Sequence, residues 1–230
     1  MKKYTLITLG LFLALFINTT SAQEMQTLFG GGEDKASVSG FGGIFNEFSG
    51  FDGDFAFSMG GGAALLIDQR FFIGGYGLGL TTRHLRSYNV YNYDGTPDIM
   101  LDDVYTRFGH GGFWLGYIHN PKKAINFGGN LKLGWGSYSF TNKRYPYEED
   151  SWETYALDNV FVITPQVDMN MNLLKWMRLS VGVGYRVVTG VDKTYYTMEN
   201  NTLVEKPYME KNALNSVTGN VTLAFGWFNN

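Results

Sequence analysis

Three histidines are available for acid–base or metal chemistry: His84 beside Arg83, then His110 and His119. A zinc site needs convergent nitrogen, sulfur or oxygen ligands, and no pair here has the helical ligand spacing. His110 and His119 are nine apart and so fall on opposite faces of a strand. No serine accompanies them in a hydrolase-like pattern, so a nucleophile, a base and an acid are not brought together. The acids Glu148-Glu149-Asp150 with Glu153, and Asp94, Asp98, Asp102 and Asp103, have charge enough for a divalent cation. Their spacing is not that of a calcium loop, and they read as solvated loops. Gly75-Tyr76-Gly77-Leu78-Gly79 puts its glycines on one strand face with no helix pattern after it, unlike a dinucleotide fingerprint. No catalytic, cofactor-binding or metal site is assigned, and the expectation is a protein that is not an enzyme.

The charges set within patterned stretches are more informative, and the pattern is clearest from Met177 to Val188. Met177, Leu179, Val181, Val183, Tyr185 and Val187 alternate with Arg178, Ser180, Gly182, Gly184 and Arg186. Strand side chains alternate faces, so one face is apolar and the other small or charged. The run exceeds an ordinary strand of about five or six residues and matches the roughly 9–11 needed to cross a bilayer. Seven other segments resemble it: 36–48, 54–67, 71–83, 104–119, 124–140, 160–173 and 215–228. The first is the least regular, because glycines at 40, 42 and 43 blur its faces. The third sets Phe72, Tyr76, Leu78 and Leu80 as its apolar face, and Gly111-Gly112 in the fourth is a place for a bulge. Pro165 removes a ladder donor from the sixth and predicts a local irregularity.

Connections alternate in length. Short turns fall at 68–70, 120–123 and 174–176, and long loops at 86–103, 142–159 and 190–214, with one short hairpin at 49–53. That is the signature of an up-and-down barrel with both termini on the short-turn side. A lipocalin-like soluble barrel also alternates, but its water-facing side would be rich in Lys and Glu. Here the polar face is mostly Gly, Ala, Ser, Asn and Thr, which suits the lining of a narrow tube.

Composition agrees: aromatics reach 17%, and 30 glycines against 5 prolines favour strands and turns over helices. A net charge of −3 argues against a nucleic-acid partner, and the absence of cysteine excludes a disulfide. Lys2-Lys3, the apolar run 6–17 and Thr20-Ser21-Ala22 predict a cleaved signal peptide over 1–22, followed by a lead-in at 23–35 and the barrel over 36–230. An exported chain without a spanning helix can cross lipid only with strands.

In architecture, residues 36–230 resemble the small eight-stranded bacterial outer-membrane barrels, of the outer membrane protein A transmembrane-domain and outer membrane protein X type. The resemblance implies an all-β, eight-stranded antiparallel up-and-down transmembrane barrel in the bacterial outer membrane. It further implies a C-terminal signal read by the insertion machinery, matched here by Phe225, Trp227 and Phe228, although Thr222 stands where that pattern has a glycine. On the polar faces, Lys132, Asp168, Arg178 and Arg186 are expected to form a lumen network. Asp168 is placed to pair with Arg178 or Lys132, with Asn130, Gln166 and Asn170 meeting the remaining donors. Loop aromatics Tyr91, Tyr93, Tyr147, Trp152, Tyr195 and Tyr196 are candidates for recognition of an extracellular ligand. The expected partners are outer-membrane lipid and the insertion machinery, with the chain a monomer and its lumen plugged. A small-solute channel, a lipid-modifying enzyme and a soluble periplasmic carrier are the alternatives.

Overall fold

The computed structural model describes residues 37–143 and 152–228. The expected signal peptide and lead-in, Tyr147, the Glu148-Glu149-Asp150 run and the side chains of Trp152 and Glu153 lie outside the described residues. The strands are β1 Val38–Phe51, β2 Asp54–Ile67, β3 Phe71–Leu80, β4 Leu85–Tyr91, β5 Pro97–His119, β6 Ile125–Lys143, β7 Trp152–Leu174, β8 Met177–Thr189, β9 Thr194–Glu199, β10 Thr202–Pro207 and β11 Ser216–Gly226.

Eight of them close into a ring in the order β1, β2, β3, β5, β6, β7, β8, β11, each antiparallel to its neighbours. The seam is β1 against β11, running from Phe41↔Gly226 to Phe48↔Gly219. Closure leaves no free edge in the ring, the condition for strands to cross lipid. The fold is an eight-stranded antiparallel up-and-down barrel of the transmembrane type. Its outer face carries Ile44, Met59, Val167 and Val183, all exposed, in a band of bare aliphatic surface. Exposed aromatics border this band: Phe71, Tyr117, Phe127, Trp176 and Trp227 toward the short turns, and Phe48, Phe55, Trp135 and Tyr185 toward the long connections. Such girdles mark the two interfaces of a membrane barrel.

Three expectations about the strands are corrected. β1 is continuous with β2 from Val38↔Ile67 to Phe51↔Asp54; Gly42 and Gly43 stand opposite Ala63 and Gly62, and Gly40 opposite Leu65, without breaking the ladder. β5 has no bulge at Gly111-Gly112; the register runs through Gly77↔Gly111 and Gly112↔Gly134, one small residue facing another. β3 turns its aromatic face inward: Phe72, Tyr76 and Leu78 are buried, while Phe71 and Ile73 look out. Ring size alone did not say which face of that strand was lipid, since an aromatic fills a lumen as well as it greases a wall. The irregularity at Pro165 is present. β6 pairs straight through it (Leu131↔Pro165), but the β7–β8 pairing is interrupted between Ile163↔Val187 and Gln166↔Gly184, where no N–H is available.

The long connections are largely strand, not loop. β5 and β7 have 23 residues each and β6 has 19, well beyond the roughly 9–11 needed to cross. β4 folds back on the projecting start of β5, from Leu85↔Tyr105 to Tyr91↔Pro97. β9 and β10 form a hairpin, and β9 meets β4 at Tyr91↔Tyr196. The hairpin belongs to the connection between β8 and β11, whereas β4 lies between β3 and β5, on the opposite side of the ring. Their pairing carries the hairpin across the outer mouth. On the remaining side, β1 and β2 are joined by Asp52-Gly53 alone, with φ of 49° and 85°, the left-handed pair that a two-residue turn between twisted strands requires.

Candidate functional site

Inside the ring the side chains divide by height. Toward the short turns, Phe41, Phe45, Phe72, Trp114 and Ile118 form one buried cluster with Leu66 and Phe228. Toward the mouth, Phe51, Phe108, Tyr138, Phe140 and Val162 form a second with Met209 and Leu214 of the β8–β11 connection. The lining is therefore more aromatic than the alternation implied. Polar groups run from the level between down to the short turns, mainly on the wall made by β6, β7 and β8.

The central ion pair joins β1 to β8. Arg186 Nη1 donates to Glu47 Oε1 at 2.9 Å, Nε to the Leu214 carbonyl at 3.0 Å and Nη2 to the Gly50 carbonyl at 3.1 Å. The guanidinium also lies over the Phe108 ring at 5.3 Å. Lys132 Nζ stands 4.0 Å from Glu47 Oε2, donates to Gln166 Oε1 at 3.2 Å, and lies over Phe45. From there the chain of contacts continues: Gln166 Nε2 and Asn130 Nδ2 both donate to Asp168. Asp168 thus has amide partners, and its expected ion pair with Arg178 or Lys132 is absent from the described contacts. The short amides reach the carboxylate from the same strand and its neighbour, ahead of the longer cations.

Arg178 sits apart. Its Nε donates to Asn172 Oδ1 at 2.8 Å and its guanidinium lies over Phe228 at 4.2 Å. On its mouth side, Asn170 donates to Asn126 at 3.1 Å and accepts from Ser180 Oγ at 2.6 Å. On the opposite wall Tyr76 Oη and His110 Nδ1 are 3.0 Å apart.

Glu47 was not among the expected lumen residues, and a signal for it existed. Lys132, Arg178 and Arg186 outnumber Asp168 three to one, a deficit that called for another acid. Glu47 shares its strand face with Phe41, Phe45 and Phe51, and the neighbouring glycines hid that face.

The other sequence candidates separate. Phe225 and Trp227 are exposed on the outer wall, Phe225 stacked on Trp176 with ring centres 6.1 Å apart, whereas Phe228 turns into the lumen against Phe41. Tyr93 and Tyr196 meet edge to face at 5.8 Å, beside the Tyr91↔Tyr196 backbone pairing. Tyr195 instead packs with Tyr88, Tyr208 and, through them, Phe140 in an aromatic knot at the mouth. Tyr88 Oη donates to the Tyr208 carbonyl at 2.9 Å. Burial pushes the Tyr88 and Tyr208 hydroxyls above the ordinary phenol range, so both are neutral donors here.

The histidines do not converge. His110 is in the lumen, His119 exposed, and His84 at the rim, stacked on Phe51 at 4.7 Å. His84 Nε2 is 3.1 Å from Thr82 Oγ1, but its Nδ1 is 3.9 Å from Asp54, too far for the hydrogen bond that would orient a catalytic base. Burial lowers the His84 pKa, partly opposed by Asp54, with Arg86 adding to the decrease.

No protein-family model matches the chain, and no curated protein does either. Solved structures with a similar arrangement include Neisserial surface protein A, with a TM-score of 0.49, 9% identity, and coverage of 85% of this chain and 100% of that one. A major outer membrane protein from Thermus thermophilus gives 0.49 at 10% identity, covering 83% of this chain and 99% of that one. The N-terminal β-barrel domain of Pseudomonas aeruginosa OprF gives 0.42 at 8%, covering 81% and 96%. These are structures to which this chain is similar.

Proposed function

We propose that this chain is a monomeric, non-enzymatic protein of the bacterial outer membrane, with a closed lumen and a surface role carried by its projecting ribbons. The observation that supports it most is the filled interior. The polar level retains a cavity of about 30 Å³, room for roughly two waters. A small-solute pathway would need a continuous wet bore, which eight strands rarely leave. The recognition surface in this reading is the junction of Tyr91, Tyr93 and Tyr196, where exposed aromatic area stands on paired backbone. Phe225, Trp227 and Phe228 serve as the signal for insertion, and the aliphatic band meets lipid.

Reconstitution into planar bilayers is the test. Conductance at baseline supports a closed lumen, whereas discrete openings that persist in Lys132→Met and in Glu47→Gln would replace this reading with a channel. Binding of labelled cells to host or envelope components, compared between wild type and Tyr93→Ala/Tyr196→Ala, tests the surface role.

A further inference from the structure

The lower lumen holds more positive charge than its carboxylates balance. Away from the mouth, where Asp158 is held by the Asp192 and Lys193 N–H groups, Lys132, Arg178 and Arg186 face Glu47 and Asp168, which leaves one cation in excess in this part of the lumen. Glu47 is engaged by Arg186 and approached by Lys132, and Asp168 accepts from two amides. The uncompensated group is Arg178, which is only 3% exposed yet has no carboxylate among its described partners. Its Nη2 has no hydrogen-bond acceptor, and neither Trp114 Nε1 nor Asn130 Oδ1 has a partner. All three residues line one cavity of about 30 Å³, together with Lys132, Asp168 and Ser180.

We propose that this cavity binds one small monovalent anion of chloride size, held by Arg178 Nη2 and Trp114 Nε1. An isolated guanidinium in a low-dielectric site is costly, and a neutral water satisfies its donor without compensating its charge. One monovalent anion does both and offsets the local excess beside Arg178. A single negative charge matches the single uncompensated guanidinium, whereas a divalent oxyanion would leave a buried negative charge of its own. A cation is disfavoured because Asp168, the acid on this lining, already accepts from Asn130 and Gln166. The site does not depend on the role given to the ribbons or on whether the barrel conducts.

The probe is chloride itself. Thermal unfolding of the detergent-folded protein is followed as gluconate is exchanged for chloride at constant ionic strength. A ligand that binds the native state alone stabilises it by RT ln(1 + [L]/Kd), so the midpoint climbs with its concentration. The wild-type midpoint should therefore rise with chloride, and Arg178→Gln should lose that rise. A midpoint indifferent to chloride, or a full rise retained in Arg178→Gln, overturns the proposal. Should Arg178→Gln fail to fold, wild-type crystals soaked in bromide decide the matter. An anomalous peak beside Arg178 Nη2 supports the site, and ordinary water in its place overturns it.

Discussion

Arg186 Nη1 lies 2.9 Å from Glu47 Oε1, each side chain 1% exposed, although their strands are not neighbours. β11 stands between them, pairing Ser216 with Arg186 and Asn220 with Glu47. The pair therefore spans one strand of the inner wall. Removing one partner of a buried pair costs about 3–5 kcal/mol, because the other charge is left uncompensated. Glu47→Gln should destabilise by that amount, and a double-mutant cycle with Arg186→Gln should show strong coupling. The same cycle between Asp168 and Arg178 should give coupling near zero. Equal coupling in both cycles, measured by urea unfolding in detergent, would show that the charges are shared differently.

Crowding is predicted where a glycine faces the network. A Cβ on Gly182 would stand 2.1 Å from Asp168 Oδ1 and 2.8 Å from the Val167 carbonyl, whereas one on outward Gly77 would meet nothing within 4 Å. Gly182→Ala should cost about 1–3 kcal/mol by displacing Asp168 from its amides. Gly77→Ala should be tolerated, and comparable losses at both positions in an unfolding titration would contradict the inward assignment.

The outer wall makes a different demand. Val183 is 58% exposed in the aliphatic band. Val183→Arg should cost about 2–4 kcal/mol near the bilayer midplane, and Val183→Met little. Folding titrations into lipid vesicles compare the two, and equal tolerance would remove this face from the membrane.

His84 makes stability depend on pH. Its folded pKa lies below the ordinary imidazole value of 6.5, chiefly because of burial. Between the two values the unfolded chain binds more protons than the native one, so stability rises with pH. The contribution is complete above about pH 6.5 and is lost progressively as pH falls toward the native value. Unfolding free energies in mildly acidic buffers should decline in wild type and decline less in His84→Gln. An identical slope in both assigns the effect to other groups.

Protease added to intact cells should cut at the ribbon tips, near Asp94-Gly95 and Asn200-Asn201, where φ turns positive at Gly95, Asn200 and Asn201. It should spare the turns at 68–70 and 120–123. Cuts confined to those short turns would invert the orientation.

The sequence shows the ring more readily than its contents. Alternation in β2, β6, β8 and β11 located their outward residues, because Met59, Phe127, Val183 and Val217 each face small or polar partners one residue away. In β3 both faces carry bulk, Phe71 and Ile73 on one and Phe72 and Tyr76 on the other, so periodicity could not choose between them. β4, β9 and β10 escaped notice because each is six or seven residues long without a clear apolar face. Pairing partners, not side-chain pattern, hold them in place. Glu47 needed the same kind of information, since its partner lies 139 residues away.

The hairpin over the mouth has a mechanical consequence. It ties β4 to the β8–β11 connection, and the same connection is fastened to the β1–β2 turn by Asp52 N donating to Ala213 O at 2.8 Å and to β7 by Asp158 accepting from Asp192 and Lys193 N–H at 3.1 Å. A hollow cylinder flexes most easily by flattening into an oval, a motion that moves opposite walls apart. A brace fixed to opposite walls resists that motion, so the outer rim is stiffened against ovalisation.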